Sequence, residues 1–360
     1  MKSLHILRHQ RGTTLIELMI SVAITMFIVA AAAYVYLGTR ETQSAIERMS
    51  TSNETGAFAL QQVGRDIMNA GFYPTTMPPS VRTVASDSYP PAMGIPARTT
   101  DWTAPHNIYR APIFGCEGAR FNHKTATCGA TVADASDSIV LNYFTYESVN
   151  FADTVGQRRD CTGADVAPAT GGDPSNAVRR LNSGPIPWTN MNPDLPPQEP
   201  LFVSNFYGLN ATVMAVDGQT VNTFSLACGG NGSSPFGTTN TAAYQPLLAG
   251  IEDLQFTYGV FGSETTRAPD RFYTATEVNA LATLNIDGTD LSPWSRVVAV
   301  RVCIMSLTLG GNTKIADKTG ASRTYLNCAD QTITQPASDT AIHKRHVQVF
   351  AVRNRLNQGF

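Results

Sequence analysis

The sequence has 360 residues, and its 26 Lys and Arg against 28 Asp and Glu give a formal net charge of −2. This balance argues against a general nucleic-acid binder, which needs a basic surface, and a hydrophobic fraction of 42% argues against a disordered chain. The length allows one large domain or two ordinary ones. The most hydrophobic stretch lies near the N-terminus.

The chain begins with a basic segment that is followed by a long uncharged one. Three cations and no acid lie in the first 12 residues, and after Glu17 the 22 residues 18–39 carry no charge. As a helix these residues span about 33 Å, enough for the hydrocarbon core of a bilayer. Cations before an apolar segment favour a cytoplasmic N-terminus, so everything after Arg40 is expected outside the cytoplasm.

Three interpretations of this segment compete. It is an ordinary signal peptide with a cleavage site at the small residues 30–33, or it is an uncleaved anchor. Neither explains Glu17, because a carboxylate at the edge of an apolar helix costs about 2–3 kcal/mol and needs a cationic partner. The apolar segment contains no cation.

The third interpretation provides that partner. Residues 11–17, Arg-Gly-Thr-Thr-Leu-Ile-Glu, resemble the signal of type IV prepilins. The resemblance implies that a prepilin peptidase cuts after Gly12, that the new amine of Thr13 is methylated, and that Glu17 is the fifth mature residue. Glu17 of one subunit can then neutralise the amine of a neighbour inside an apolar helical bundle. The family usually has phenylalanine where this chain has Thr13.

Helical spacing continues beyond the apolar segment. Apolar residues recur three and four positions apart until Gly71 and Pro74 give a stop signal. We therefore predict a leader over 1–12 and a long helix over 13–70, with a transmembrane part at about 15–38.

Two glycines weaken the middle of this predicted helix. Gly56 and Gly64 are expected to mark bends. The alternative is two helices broken within 50–56.

The remaining residues, 71–360, are predicted to form a β-rich head. Candidate strands are 138–146, 201–208, 211–216, 221–227, 251–261, 296–305 and 346–353. Asp217-Gly218 is a predicted hairpin turn, and 276–284 a short helix. Two proline-dense stretches, 74–112 and 168–200, are predicted to be long loops on one head, and the alternative for the second is a domain boundary. The predicted fold class is α+β, with a long N-terminal helix packed on a β-rich head.

Segments of the head resemble minor pilins of the PilW type. Residues 250–259, Gly-Ile-Glu-Asp-Leu-Gln-Phe-Thr-Tyr-Gly, are similar to one strand of that type, and 294–302 and 352–355 are similar to later ones. The resemblance implies a pilin-like fold. It also implies a low-abundance pilin that assembles with other minor pilins into a priming and tip complex, on which the major pilin polymerises.

The same resemblance implies the partners and the location. The partners are other minor pilins, the major pilin, a tip adhesin, the prepilin peptidase and N-methyltransferase, and the inner membrane. The protein would cross the bacterial inner membrane once, with its head in the periplasm, and then enter the pilus. Two alternatives remain open: a J-type pseudopilin of a type II secretion system, and a membrane-tethered or secreted binding or enzyme head with an ordinary signal.

Six cysteines lie in the predicted head, and an even count outside the cytoplasm predicts disulfides. Fifteen pairings are possible. Our working hypothesis is the sequential pairing of Cys116 with Cys128, Cys161 with Cys228, and Cys303 with Cys328. The alternative is buried free thiols, with Cys303 as the first candidate because it lies in a predicted strand.

Three other polar motifs are candidate sites. The run 343–346, His-Lys-Arg-His, predicts a solvated basic strand edge. Residues 285–290 are reminiscent of a calcium loop but lack its distal glutamate, so a turn is favoured. The glycine-rich run 229–234 fails the phosphate-loop patterns. We expect no enzymatic activity, no cofactor, no metal site and no nucleic-acid partner.

Overall fold

The structure is a computed structural model. The residues that it describes are 14–72, 108, 111–122, 127–132, 135–146, 148–149, 155–156, 158–166, 200–216, 219–232, 244–263, 266, 268–286, 289–308, 323–335 and 341–356. The chain divides into two compact units, residues 1–51 and residues 52–360. The first contains the N-terminal part of one long helix, and the second contains the rest of that helix and a large sheet.

The long helix, α1, spans Leu15–Asn69 and is continuous through 50–56, so the two-helix alternative is wrong. Its apolar N-terminal part is long and apolar enough to cross a membrane, by length and composition alone. Polar side chains in this part are satisfied locally. The hydroxyl of Thr25 donates to the carbonyl of Ser21 at 2.6 Å, which removes most of the cost of a hydroxyl in apolar surroundings.

The end of α1 follows the predicted stop signal. Gly71 has a φ of 73°, the left-handed conformation that glycine adopts without strain just beyond a helix. Its N–H donates to the carbonyl of Asn142 at 2.8 Å. The amide nitrogen of Asn354 lies 3.1 Å from the carbonyl oxygen of Asn69, so the last turn of α1 is capped by the C-terminal part of the chain. Pro74 lies outside the described residues.

Eighteen strands follow α1 in the described residues. They are β1 (Ile113–Cys116), β2 (Phe121–Asn122), β3 (Thr127–Cys128), β4 (Ser138–Tyr146), β5 (Ser148–Val149), β6 (Val155–Gly156), β7 (Arg158–Arg159), β8 (Asp165–Val166), β9 (Pro200–Val216), β10 (Gln219–Gly230), β11 (Gln245–Val260), β12 (Arg271–Tyr273), β13 (Leu284–Ile286), β14 (Thr289–Leu291), β15 (Val297–Thr308), β16 (Thr324–Leu326), β17 (Thr332–Thr334) and β18 (Ile342–Ala351). Two short helices, α2 (Ala275–Ala280) and α3 (Arg353–Leu356), and a 3₁₀ turn at Trp294–Arg296 complete the elements.

The large sheet has the strand order β1-β4-β9-β10-β11-β15-β18, and β12 pairs with β11. Every pairing in it is antiparallel. The other strands form five two-stranded pairs: β2–β3, β5–β6, β7–β8, β13–β14 and β16–β17. A long helix followed by a β-rich sheet confirms the predicted α+β class.

Several predicted boundaries differ from those in the structure. The two runs 201–208 and 211–216 form one strand, β9, because β10 pairs with it over twelve consecutive residues. The predicted helix 276–284 is shorter, and α2 begins at a capping box in which Thr274 and Glu277 bond reciprocally. The turn at 217–218 lies outside the described residues, as does most of the two proline-dense stretches.

The C-terminal part of α1 packs on the sheet through an apolar face that includes Ala59, Val63 and Ile67, all fully buried. A β-carbon on Gly64 would lie 2.1 Å from the ring of Phe350, and one on Gly56 would lie 2.3 Å from the imidazole of His346. The glycines are therefore needed for the close approach of α1 to β18. That they also mark bends stays a prediction.

A buried carboxylate fixes α1 to the middle of the sheet. The side chain of Asp66 is 5% exposed, and its Oδ2 accepts hydrogen bonds from the amide of Asn205 at 2.7 Å and from the hydroxyl of Tyr207 at 2.6 Å. Burial raises the pKa of Asp66, although both hydrogen bonds oppose the rise. Two donors on β9 thus depend on one acceptor on α1.

Replacing Asp66 with alanine should lower the free energy of unfolding by about 2–4 kcal/mol, because it leaves two buried donors without their acceptor. Denaturant unfolding of the full chain measures the loss. Asp66→Asn is the matched control, since it keeps one carbonyl oxygen and should lose less. Equal stability of Asp66→Ala and the unsubstituted chain would contradict the prediction.

Candidate assembly site

The predicted processing site lies at the edge of the described residues. Gly12 and Thr13 are outside them, so their roles in cleavage and methylation stay predictions. Thr14 is the first described residue, and α1 begins one residue later. The geometry of the site is therefore that of Thr14, Glu17 and the apolar surface that follows.

Thr14 and Glu17 form a reciprocal cap at the start of α1. Oε2 of Glu17 accepts hydrogen bonds from the backbone N–H of Thr14 at 3.1 Å and from its hydroxyl at 3.3 Å. In return the N–H of Glu17 donates to the hydroxyl oxygen of Thr14 at 3.4 Å. This is a capping box, and a carboxylate in the first turn also interacts favourably with the helix dipole.

Sequence reasoning missed Thr14 as a partner of Glu17. The sequence argument considers only a cation as the partner of Glu17. In the structure the partners of its carboxylate are the N–H and the O–H of Thr14, in the same helix. The signal was present, because a threonine three residues before a glutamate and next to an apolar run is the pattern of a capping box. Among the described residues these hydrogen bonds leave Oε1 of Glu17 unused, so the side chain can cap its own helix and still accept an external cation.

An exposed apolar surface surrounds this cap within the first unit. The large apolar residues that it exposes are Leu15, Ile16, Leu18, Met19, Ile20, Val22, Ile24, Met26, Phe27, Ile28, Val29, Tyr34, Val35, Tyr36 and Leu37. A contiguous patch of this size on a chain in water marks a membrane or protein contact. The surface suits lipid or the apolar helices of other subunits.

The six cysteines form three disulfides in the sequential order of the working hypothesis. Cys116 pairs with Cys128, Cys161 with Cys228, and Cys303 with Cys328. They join β1 to β3, the turn between β7 and β8 to β10, and β15 to the turn between β16 and β17. The free-thiol alternative for Cys303 is therefore wrong. Disulfides of this kind persist in oxidising compartments.

A buried carboxylate holds the loop beside the first disulfide. Oδ1 of Asp137 accepts from the N–H of Gly118 at 2.8 Å, and Oδ2 accepts from the N–H of Phe256 on β11 at 2.9 Å. Burial raises the pKa of Asp137 to about 7, against these hydrogen bonds. The folded chain therefore binds a proton here at pH values where the unfolded chain does not.

This raised pKa predicts a pH-dependent stability. Between about pH 4 and about pH 7 only the folded chain keeps the proton of Asp137, so the free energy of unfolding should fall by about 2–4 kcal/mol as pH rises through that window. Denaturant unfolding at several pH values measures the slope. Asp137→Asn removes the titration and should flatten it. An unchanged slope in this variant would refute the assignment.

The other motifs occupy ordinary positions in the fold. His343 Nδ1 lies 2.5 Å from Oε2 of Glu252, and His346 Nε2 lies 2.9 Å from the hydroxyl of Ser306. Both histidines thus have partners, which corrects the expectation of a simple solvated edge. Of the run 285–290, residues 285–286 and 289–290 belong to the β13–β14 pair, and residues 287–288 lie outside the described ones. Of the run 229–234 the last two residues lie outside the described ones as well.

Two family models match this chain. The model of the prokaryotic N-terminal methylation motif matches residues 7–33, and that of type IV pilus-assembly protein W matches residues 213–355. These two matches indicate a pilus-related minor pilin of the PilW type. The first match contains Gly12, Thr13 and Glu17, and the second contains β10, β11, β15 and β18.

Two further comparisons concern solved structures and curated proteins. A type IV-like pilin from Thermus thermophilus shares 11% identity with this PilW-type protein, over 62% of the present chain and 81% of its own, with a TM-score of 0.27. The search of curated proteins finds no match.

The N-terminal motif and the exposed apolar helix together indicate membrane anchoring and a place in the pilus. They also imply interaction with the prepilin peptidase and with other pilus components. In the described residues the helix that follows this motif begins at the Thr14–Glu17 cap and carries the exposed apolar surface.

Proposed function

We propose that this PilW-type protein takes part in priming type IV pilus assembly and in forming the tip complex, and so supports twitching motility and adhesion. One observation carries the proposal. A methylation motif at residues 7–33 and a PilW match at residues 213–355 occur on one chain, and the N-terminal part of its first helix exposes apolar residues. The activity is packing of that helix against the helices of neighbours.

The steps follow from the chemistry of the N-terminus. The prepilin peptidase cuts between Gly12 and Thr13 on the cytoplasmic side and methylates the new amine. The helix then crosses the inner membrane once, at about 15–38, with the head in the periplasm. During assembly Oε1 of Glu17 accepts the Thr13 amine of a neighbouring subunit, while Oε2 keeps its hydrogen bonds to Thr14. The partners are other minor pilins, the major pilin and a tip adhesin.

The mature N-terminus tests the first step. The intact mass and N-terminal sequence of the protein, extracted from membranes of its native host, should show a start at Thr13 that carries a methyl group. A start near Tyr34 would mean an ordinary signal peptide, and an intact Met1 would mean a plain anchor. Either result would remove the amine on which the Glu17 contact depends.

A strain that lacks the gene for this chain tests its part in pilus assembly. Loss of surface pili and of twitching, restored by the unsubstituted chain, is the expected result. A J-type pseudopilin of a type II secretion system would share the N-terminal motif. Normal pili together with a defect in protein secretion would therefore assign the chain to that system instead.

A further inference from the structure

The edge of the large sheet at β18 carries backbone groups that point away from the sheet. Of the described strands, only β15 pairs with β18. The N–H of Val352 donates to the carbonyl of Val298 at 2.8 Å, so in this antiparallel ladder the even-numbered residues bond to β15. The odd-numbered Val347, Val349 and Ala351 therefore direct their N–H and C=O groups outwards.

The second half of β18 lacks the usual protection of a sheet edge. Its ten residues pair with β15 in one uninterrupted register, without a bulge, and they include no proline. Residues 347–351 carry no charge, and the side chains of Val347 and Val349 are 41% and 51% exposed. A regular, apolar and exposed edge of this kind is a template for another strand.

The surroundings of this edge are strongly basic. Six Arg and Lys and one acid lie in β15, the β16–β17 hairpin and β18 with the turn after it, which together are residues 297–308, 323–335 and 341–356. One further acid, Glu252 of β11, contacts His343 in the first half of β18. Arg301 lies 3.6 Å from the carboxylate of Asp330 in the hairpin, and Arg345 contacts it as well. Two guanidinium groups beside the edge thus share one carboxylate.

We propose that β18 is a docking edge for an extended strand of a partner protein, with apolar residues at alternate positions and acidic residues nearby. The strand bonds to the outward backbone groups of Val347, Val349 and Ala351, as in β-augmentation. Its apolar side chains cover the two valines, and its carboxylates face Arg301 and Arg345. A second copy of β18 does not fit, because it would oppose basic residues with basic residues.

This contact belongs to the head alone and goes beyond assembly through α1. It does not depend on processing at Gly12, so a chain that is not cleaved should bind the strand equally well. Failure of the strand contact and failure of the assembly proposal can thus be told apart by measurements on separate parts of the chain.

The experiment uses the full chain in detergent and a fluorescent peptide of about nine residues. On one face the peptide carries two valines flanked by glutamates, because Val347, Val349 and Arg345 share one face of β18 and Arg301 lies opposite Val349. Its intervening positions are threonine. The control peptide has lysine in place of every glutamate. We expect the acidic peptide to bind at least about tenfold more tightly, with an affinity that falls as salt rises. Hydrogen exchange of the bound chain should show protection of the amides of Val347, Val349 and Ala351.

Two variants test the backbone contact directly. Val349→Pro removes an outward N–H but no bond to β15, and proline is tolerated at such edge positions. It should weaken binding of the acidic peptide about tenfold. Val349→Ala, which keeps the N–H, is the matched control and should weaken it less.

Several results would overturn the proposal. They are absence of peptide binding, equal binding of the acidic and basic peptides, and unchanged binding by a folded Val349→Pro chain. Binding of a DNA duplex in place of the peptide, insensitive to Val349→Pro, would make the basic surface a nucleic-acid site instead. If Val349→Pro does not fold, the exchange protection in the unsubstituted chain decides the question.

Discussion

Replacing Glu17 with alanine should leave cleavage after Gly12 largely intact and should lower incorporation of the chain into pili by at least about tenfold. Removing one partner of a buried ion pair costs about 3–5 kcal/mol, because the other charge stays buried and unpaired. A tenfold change needs only about 1.4 kcal/mol. Incorporation is measured as the ratio of the chain in sheared pili to that in membranes, with twitching as a second readout.

Two further variants separate the charge of Glu17 from its capping role. Glu17→Gln keeps an acceptor for Thr14 but loses the charge, and Thr14→Ala removes the hydroxyl of the cap but keeps the charge. If the amine contact matters, Glu17→Gln should resemble Glu17→Ala and Thr14→Ala should incorporate more fully. Incorporation of Glu17→Ala at the level of the unsubstituted chain would exclude amine pairing.

The second large effect is expected at Gly64. In an exposed helix the change of glycine to alanine stabilises by about 1 kcal/mol. Here the new β-carbon would lie 2.1 Å from the ring of Phe350, so Gly64→Ala should instead destabilise the head by about 1–3 kcal/mol. The two arguments give opposite signs, which makes denaturant unfolding decisive.

The clash with Phe350 can be isolated by a double-mutant cycle. In a Phe350→Ala background the added methyl group has room, so Gly64→Ala should be neutral or stabilising. Gly38→Ala is the matched control in the same helix, because a β-carbon there meets nothing within 4 Å. A destabilisation by Gly64→Ala that persists without the Phe350 ring would show that close packing is not the reason for the glycine.

The sequence predicted those elements whose signals are local. The bounds of β4 at 138–146 and the stop of α1 before Gly71 follow from apolar alternation and from the left-handed conformation that glycine tolerates. The role of Thr14 as the partner of Glu17 could also have been predicted, since a capping box is a pattern of four consecutive residues. Each of these features depends on residues close together in the chain.

The features that sequence reasoning missed depend on distant residues. Gly56 and Gly64 resemble weak points of a helix until β18 is seen to bring His346 and Phe350 against them. The contact between His343 and Glu252 joins residues 91 positions apart, and the order of the strands decides it. The residues of β9 were predicted to form two strands, 201–208 and 211–216. Pairing with β10 joins them into one strand. Local propensity cannot contain this information.

The disulfides bear on how the head withstands proteases. Cys161 and Cys228 are 67 positions apart and enclose the proline-dense stretch 168–200. Cys303 and Cys328 are 25 positions apart and enclose residues 304–327. A single cut of the backbone inside either loop leaves the two fragments joined by a sulfur–sulfur bond. A nicked head should therefore keep its full mass, apart from one added water, until it is reduced. An inserted tag or protease site in either of these two loops would accordingly leave the subunit covalently joined after cleavage.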